Sequence, residues 1–391
     1  SIRRMRRSDH LGCRADRACG VGHGPGGVNG RRLHSMAGPA NLTTIELRTA
    51  GDTVTIIDQT LLPHRLEYRV LSTWEDAADA IAAMRVRGAA LVGATAASGL
   101  ALAVKADASD AAMFRAADGL RATRPAVVTL QWAVERCLSV LACTKPDERP
   151  KIAWAAAADI VREEAASNRS IGRYGLELIR AMADRRDGEP VRILTHGHAG
   201  RLTTTHLGTA TAPIYLGHRA GIPMRVLVDE SRPGCQGSAL TAWELHREGI
   251  ECDVLADGAG GLLMQRGDVD LVITGADRVA ANGDVCNHIG TYLVALAARE
   301  SEVPFCVAVP TSMIDPDAPD GSCIPIEHRD AEAVLHAVGR DDDGESRRVR
   351  VAADGVSALN PTFDITPASL VTVLITERGL LKPDTASRAV R

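Results

Sequence analysis

Past residue 188 the chain alternates short apolar runs with longer amphipathic stretches. The runs at 190–195, 223–228, 251–255, 270–274 and 304–309 are rich in Val, Ile and Leu, which predicts buried strands. Between them, 201–219, 236–248, 259–266 and 287–300 carry helical spacing. Strands alternating with helices predict a parallel, doubly wound sheet. Before residue 188 the rhythm is different. Alternating segments at 44–48, 53–58 and 65–70 predict three short strands, a small antiparallel sheet. Helical periodicity follows at 75–84, 89–104, 110–121, 126–143 and 153–182. The expected class is therefore α/β, with a mostly helical N-terminal domain (36–187) and a sheet domain (188–391).

Residues 1–35 stand apart. They hold eight arginines, seven glycines, two aspartates and no glutamate. No apolar h-region marks a secretory signal, and the glycines oppose an amphipathic helix. We expect a disordered or non-native extension, with Met36 as the functional start.

Composition narrows the function. Hydrophobic residues make up 45% and charged residues 24%, as in soluble globular proteins. A net charge of -4 gives no reason to expect nucleic acid or an acidic membrane surface. The longest apolar stretch, 88–104, is Ala- and Gly-rich and reads as a buried helix, so no membrane span is expected. Nine scattered cysteines, with no CxxC pair, suit a reduced cytoplasmic compartment. Cys306, inside an apolar run, reads as a core residue. No GxGxxG follows the first buried strand, so a nicotinamide cofactor is not indicated, and no cofactor or metal is expected.

Polar residues collect after each predicted strand. His196-Gly197-His198-Ala199-Gly200 follows the first, Asp229 through Gln236 the second, and Asp257 the third. Asp277, Arg278, Asn287 and His288 follow the fourth. Parallel strands end at one edge, so these groups should meet in one crevice suited to proton transfer on a small polar anion. A helix beginning near Asn287 would turn its amino end toward that anion. The plainer alternative is an ordinary loop punctuated by turn residues. Arg87, before Gly88 and Ala89 at a helix start, and Arg124, before Pro125, are candidate anion ligands. The plainer alternative for each is a surface ion pair.

The segment from Gly275 to Tyr292 resembles the signature of the methylthioribose-1-phosphate isomerases, relatives of the regulatory subunits of the translation-initiation guanine-nucleotide exchange factor. Arg87-Gly88-Ala89-Ala90, Arg124-Pro125-Ala126-Val127, Thr195 to Gly200, Glu230-Ser231-Arg232-Pro233, Thr241 to Leu245, Ile324 to Glu327 and Asn360 to Asp364 follow the family order. The resemblance runs from about Leu47 to the C-terminus. It implies a Rossmann-like C-terminal domain, a homodimer, and isomerisation of an aldose 1-phosphate to a ketose 1-phosphate in methionine salvage. The substrate would be 5-methylthioribose 1-phosphate or a 5-deoxy analogue. Asp277 matches the family's catalytic aspartate, and its pKa must be raised for it to act as an acid. Arg87, Gly88, Ala89, Arg124, Gln236 and Asn287 match the substrate ligands.

Three departures stand beside these matches. Gly197 occupies the position of the family's catalytic cysteine, His198 that of the following asparagine, and His288 that of the lysine after Asn287. Three readings follow. The enzyme could remain an isomerase with altered machinery, using His198 as base on a different substrate, with His288 among the ligands. It could have lost the chemistry and become a binding or regulatory protein. Or Cys235, beside Gln236, could stand in for the lost thiol. His196 is expected to play only a supporting part.

Overall fold

The computed structural model describes residues 42–48, 53–125 and 127–389. The expected extension at 1–35 lies outside the described residues.

An antiparallel sheet of β1 (Ile45–Arg48), β2 (Thr53–Ile57) and β3 (Tyr68–Leu71) opens the chain. Five helices follow: α1 (Trp74–Ala82), α2 (Ala89–Ala106), α3 (Asp110–Thr123), α4 (Val128–Leu141) and α5 (Arg149–Ala183). Local chemistry sets their starts. Thr73 and Asp76 form a reciprocal capping box on α1, and Ser109 caps α3. The apolar α2 is 78% buried within this bundle, as the sequence predicts for that stretch.

Next comes the alternating region: β4 (Val191–Thr195), α6 (Thr211–Arg219), β5 (Met224–Asp229), α7 (Ala242–Arg247), β6 (Cys252–Leu255), α8 (Ala259–Gln265) and β7 (Leu271–Thr274). A hairpin of β8 (Arg278–Ala280) and β9 (Val285–His288) precedes α9 (Thr291–Glu300), β10 (Phe305–Ala308) and the short β11 (Ile314–Asp315). After α10 (Glu332–Leu335) come a second hairpin, β12 (His336–Arg340) and β13 (Ser346–Arg350), then β14 (Phe363–Thr366), β15 (Val373–Thr376) and β16 (Gly379–Leu381).

Seven strands form the main sheet in the order β16-β15-β10-β7-β4-β5-β6. All neighbours are parallel except β15 and β16. The pleat sends alternate residues to opposite faces. Ile193, Val226, Ile273 and Ile375 pack with Ile171 and Ile179 of α5 and Tyr215 of α6. Leu194, Leu227, Val272 and Leu374 pack on the other side with Val294 and Ala298 of α9. Cys306 is buried among the first set, as expected. Being covered on both faces is what makes the strands continuously apolar.

The structure corrects two sequence expectations. Residues 201–210 are not helical beyond a single turn at Arg201–Thr203, and α6 begins only at Thr211. The hydroxyl of Thr203 donates to the Gly200 carbonyl at 2.8 Å, and that of Thr204 to the Arg201 carbonyl at 3.4 Å, competing with helix geometry. Asn287 starts no helix either: it lies in β9, paired with Asp364 of β14. That partner comes from distant sequence, so no local pattern announces it. The true helix start, at Thr291, is already capped, because Asp364 Oδ2 accepts the Gly290 N–H at 2.7 Å and the Tyr292 N–H at 3.2 Å.

Candidate active site

Gly88 ties the helical region to the sheet edge. It precedes α2 at φ +83°, and a Cβ there would fall 2.3 Å from Thr203 Cβ. Only glycine allows the start of α2 to press on the turn after β4. Thr129 steadies that start by donating to the Ala89 carbonyl at 2.6 Å, and the Gln59 amide reaches the Leu202 carbonyl at 2.6 Å. The cavity there is partly open, and its empty volume of about 440 Å³ includes space open to solvent. Gly88, Ala89, Glu164, His198, Asp277 and Asn287 are among its lining residues.

Asp277 follows β7, and its N–H donates to the Cys286 carbonyl at 2.9 Å, which fixes it against the hairpin. Its carboxyl lies deep among protein atoms yet opens onto the cavity. Burial pushes it up to about 6, while Arg329 and Arg124 pull it back and Glu327 adds to the rise. The side chain also faces the open cavity, where water opposes this rise.

His198 Nδ1 lies 2.8 Å from Thr241 Oγ1, whose own hydroxyl faces the Gly197 carbonyl at 3.4 Å. We assign the imidazole proton to Nδ1, which leaves Nε2 as a buried acceptor without a partner. Burial, then the nearby Arg87 charge, push this histidine down to about 3. It is neutral at pH 7 and only weakly basic.

Asn287 Nδ2 donates to Thr291 Oγ1 at 3.0 Å, which orients its amide. The pKa values of Arg87 and Arg124 are both lowered. For both, burial is the leading cause, and the Arg329 charge comes next. Of the predicted ligands, Arg87, Arg124, Gln236 and His288 are not among the residues that line the cavity. His288 packs edge-on against His196, ring centroids 5.7 Å apart, and burial lowers its pKa, so it brings no fixed positive charge. Cys235 also lies outside the lining, with its Sγ beside the Pro233 carbonyl at 3.8 Å.

His196 is held at both ring nitrogens. Its Nε2 lies 2.9 Å from the Ile289 carbonyl, which can only accept, so Nε2 is protonated. Its Nδ1 faces Asp229 Oδ2 at 3.0 Å. Burial opposes a charge on His196, but the hydrogen bond and charge of Asp229 raise its pKa. Burial lifts Asp229 as well; the contact to His196 works against this and keeps its carboxylate the acceptor. Ligand atoms of His196, Asp229 and Asp257 lie within 4.8 Å of one another. Asp257 accepts the Ser231 and Arg232 N–H groups at 2.7 Å.

Gly197, φ +77°, donates its N–H to Ser231 Oγ at 2.9 Å. A Cβ at this position would meet His288 Cβ at 3.3 Å.

A model of the initiation factor 2 subunit family matches residues 85–383. The chain belongs to this family. Within it, a methylthioribose-1-phosphate isomerase of Methylocella silvestris is 51% identical, covering 89% of this chain and 95% of the relative. One from Rhodospirillum centenum is 52% identical, covering 89% and 96%. The crystal structure of 5-methylthioribose 1-phosphate isomerase from Pyrococcus horikoshii superposes with a TM-score of 0.79 at 36% identity, covering 90% of this chain and 95% of that one. The structure of the delta subunit of translation initiation factor eIF-2B from A. fulgidus gives 0.75 at 35% identity, covering 88% and 96%. These members share the mixed α/β fold with its helical part.

Sequence reasoning missed three groups near the cavity. Glu164 lines it from α5, Thr241 holds His198, and the Arg329 charge acts on Asp277, Arg87 and Arg124. Arg329 sits two residues past the Ile324 to Glu327 motif, the one local hint available.

Proposed function

We propose that this chain is an aldose–ketose isomerase converting 5-methylthioribose 1-phosphate, or a 5-deoxy analogue, to the ribulose 1-phosphate. The observation that carries the reading is about 50% identity, over almost 90% of the chain, to relatives bearing that name. The cavity agrees with it, since Asp277, Asn287, Gly88 and Ala89 meet there. We read the main sheet as Rossmann-like and set the domain boundary near residue 188. A cytoplasmic homodimer without a cofactor completes the proposal.

Phosphate on the anomeric oxygen prevents free ring opening. Asp277, protonated when the cavity is dry, gives a proton to the ring oxygen. Arg87, Arg124 and Arg329 gather positive charge that Glu327 and Asp277 offset only in part, which favours a bound phosphate. Asn287 and the backbone at Gly88 and Ala89 would hold the substrate oxygens. His198, neutral, offers Nε2 to a substrate hydroxyl.

Gly197 favours a second reading, a sugar-phosphate-binding or regulatory protein that has lost turnover, because glycine supplies no proton carrier. Gln236 and His288 would then remain as family positions outside the cavity. Incubating the purified chain with methylthioribose 1-phosphate and with 5-deoxyribose 1-phosphate, and following ketose formation, separates the two. Ketose from either sugar supports the isomerase; tight binding without ketose supports the regulator.

A further inference from the structure

Moving hydrogen from C2 to C1 as a proton needs a group that accepts it from carbon. Among the described lining residues, three side chains titrate: Asp277, His198 and Glu164. Asp277 is engaged at the ring oxygen. His198, held down to about 3, makes a poor base for a C–H bond.

Glu164 is built into the site from α5. The Thr205 hydroxyl donates to the Val161 carbonyl at 3.0 Å, one turn before it, and locks that turn of α5 to the loop that also lines the cavity. Asn168, fully buried one turn later, donates Nδ2 to Glu164 Oε1 at 2.9 Å. No described protein group bonds Oε2. Its neighbour Glu163 faces elsewhere, in a bidentate pair with Arg136 at 2.5 and 2.7 Å. Burial raises the Glu164 carboxyl, against the Asn168 hydrogen bond, and the Glu377 charge adds to the rise.

We propose that Glu164 is the second proton carrier of this site, taking the proton from C2 of the sugar phosphate and returning it to C1. The assignment rests on the isomerase reading. Protonated Asp277 gives its proton to the ring oxygen as the C1–O bond breaks, leaving a cation shared by C1 and its phosphoryl oxygen. Glu164 carboxylate removes the C2 proton, and that electron pair forms the C1–C2 double bond. The C2 hydroxyl then loses its proton to Asp277 carboxylate as the C2 carbonyl forms. The double-bond electrons take the proton back from Glu164 at C1. Both carboxyls end as they began, and no oxidant or reductant is consumed. Gly197 can therefore lack a side chain without breaking the cycle.

The test compares the full chain with Glu164→Gln, Glu164→Asp and Asp277→Asn, measuring kcat, KM, the pH profile and thermal unfolding. We expect Glu164→Gln to lower kcat by about 10²–10⁴ with little change in KM, and to remove the fall in kcat on the acid side. Glu164→Asp should keep that fall, shifted in pH, and recover part of the rate. Turnover of Glu164→Gln within threefold of the unaltered chain overturns the assignment while leaving the isomerase intact. So does a slow variant that keeps the acid-side fall. If Glu164→Gln does not fold, an unshifted acid limb in Glu164→Asp overturns it. Absence of ketose from the unaltered chain overturns both this assignment and the isomerase reading.

Discussion

His198 Nδ1 and the Thr241 hydroxyl stand 2.8 Å apart, joining the loop after β4 to the turn before α7. This contact sets which imidazole nitrogen carries the proton and leaves Nε2 free. Thr241→Val keeps the shape and removes the hydrogen bond. Loss of one neutral hydrogen bond, about 1 kcal/mol, should reduce kcat roughly fivefold while KM changes little. Steady-state kinetics would show this, and His198→Ala should be slower still. A His198→Ala variant at full rate would remove this residue from the machinery.

Asp277 sets the alkaline side of the pH profile. Burial lifts its carboxyl to about 6, above the ordinary range for an aspartate, so the fold binds the proton more tightly than the open chain does. The stability contributed is complete below about 4 and is lost as pH rises through about 6. Asp277→Asn should therefore unfold at a higher temperature than the unaltered chain at pH 8, with the gap closing toward pH 4. Thermal melts across that range check the sign. The acid role predicts that kcat of the unaltered chain also falls above Asp277's pKa in the bound complex.

Gly197 is held by its backbone as well as by its neighbours. Left-handed φ at a residue with a Cβ costs about 1–3 kcal/mol, and the new Cβ would press on His288. Gly197→Cys should lower the melting temperature by several degrees without raising activity. Adding His198→Asn and His288→Lys leaves the His288 Cβ position occupied, so the strain persists. If the chain has lost turnover, the triple variant should nonetheless gain ketose formation, because a thiol returns a proton carrier.

Asp364 caps α9 with its carboxylate. Asp364→Asn should cost about 1 kcal/mol of stability, or on the order of 2 °C in melting temperature. Burial raises the Asp364 carboxyl against the bonds from the Gly290 and Tyr292 N–H groups, so the unaltered chain gains stability as pH falls and the loss should grow toward low pH. Differential scanning calorimetry at two pH values is enough.

Much of the framework was legible because apolar runs report burial directly. The strands from β4 to β7 and β10 begin and end within a residue or so of their apolar runs, and convergence at the strand ends follows from parallel pairing. The β9 segment was not legible. Its register depends on β14, about 75 residues away, and a short apolar run followed by a turn cannot reveal that partner. Residues 201–210 misled because threonine hydroxyls and Gly208 at φ +80° override a helical pattern. Within the cavity, Asp277, Asn287, His198, Gly88 and Ala89 came from motifs. Glu164 did not, since periodicity cannot say which of two adjacent glutamates faces a cavity and which meets Arg136.

The most direct measurement is ketose formation from methylthioribose 1-phosphate by the purified chain beside Asp277→Asn. Our account predicts ketose from the unaltered chain and a loss of about 10²–10⁴ in rate in the variant, with its fold intact by circular dichroism. No ketose from the unaltered chain, or an undiminished rate in Asp277→Asn, would contradict it.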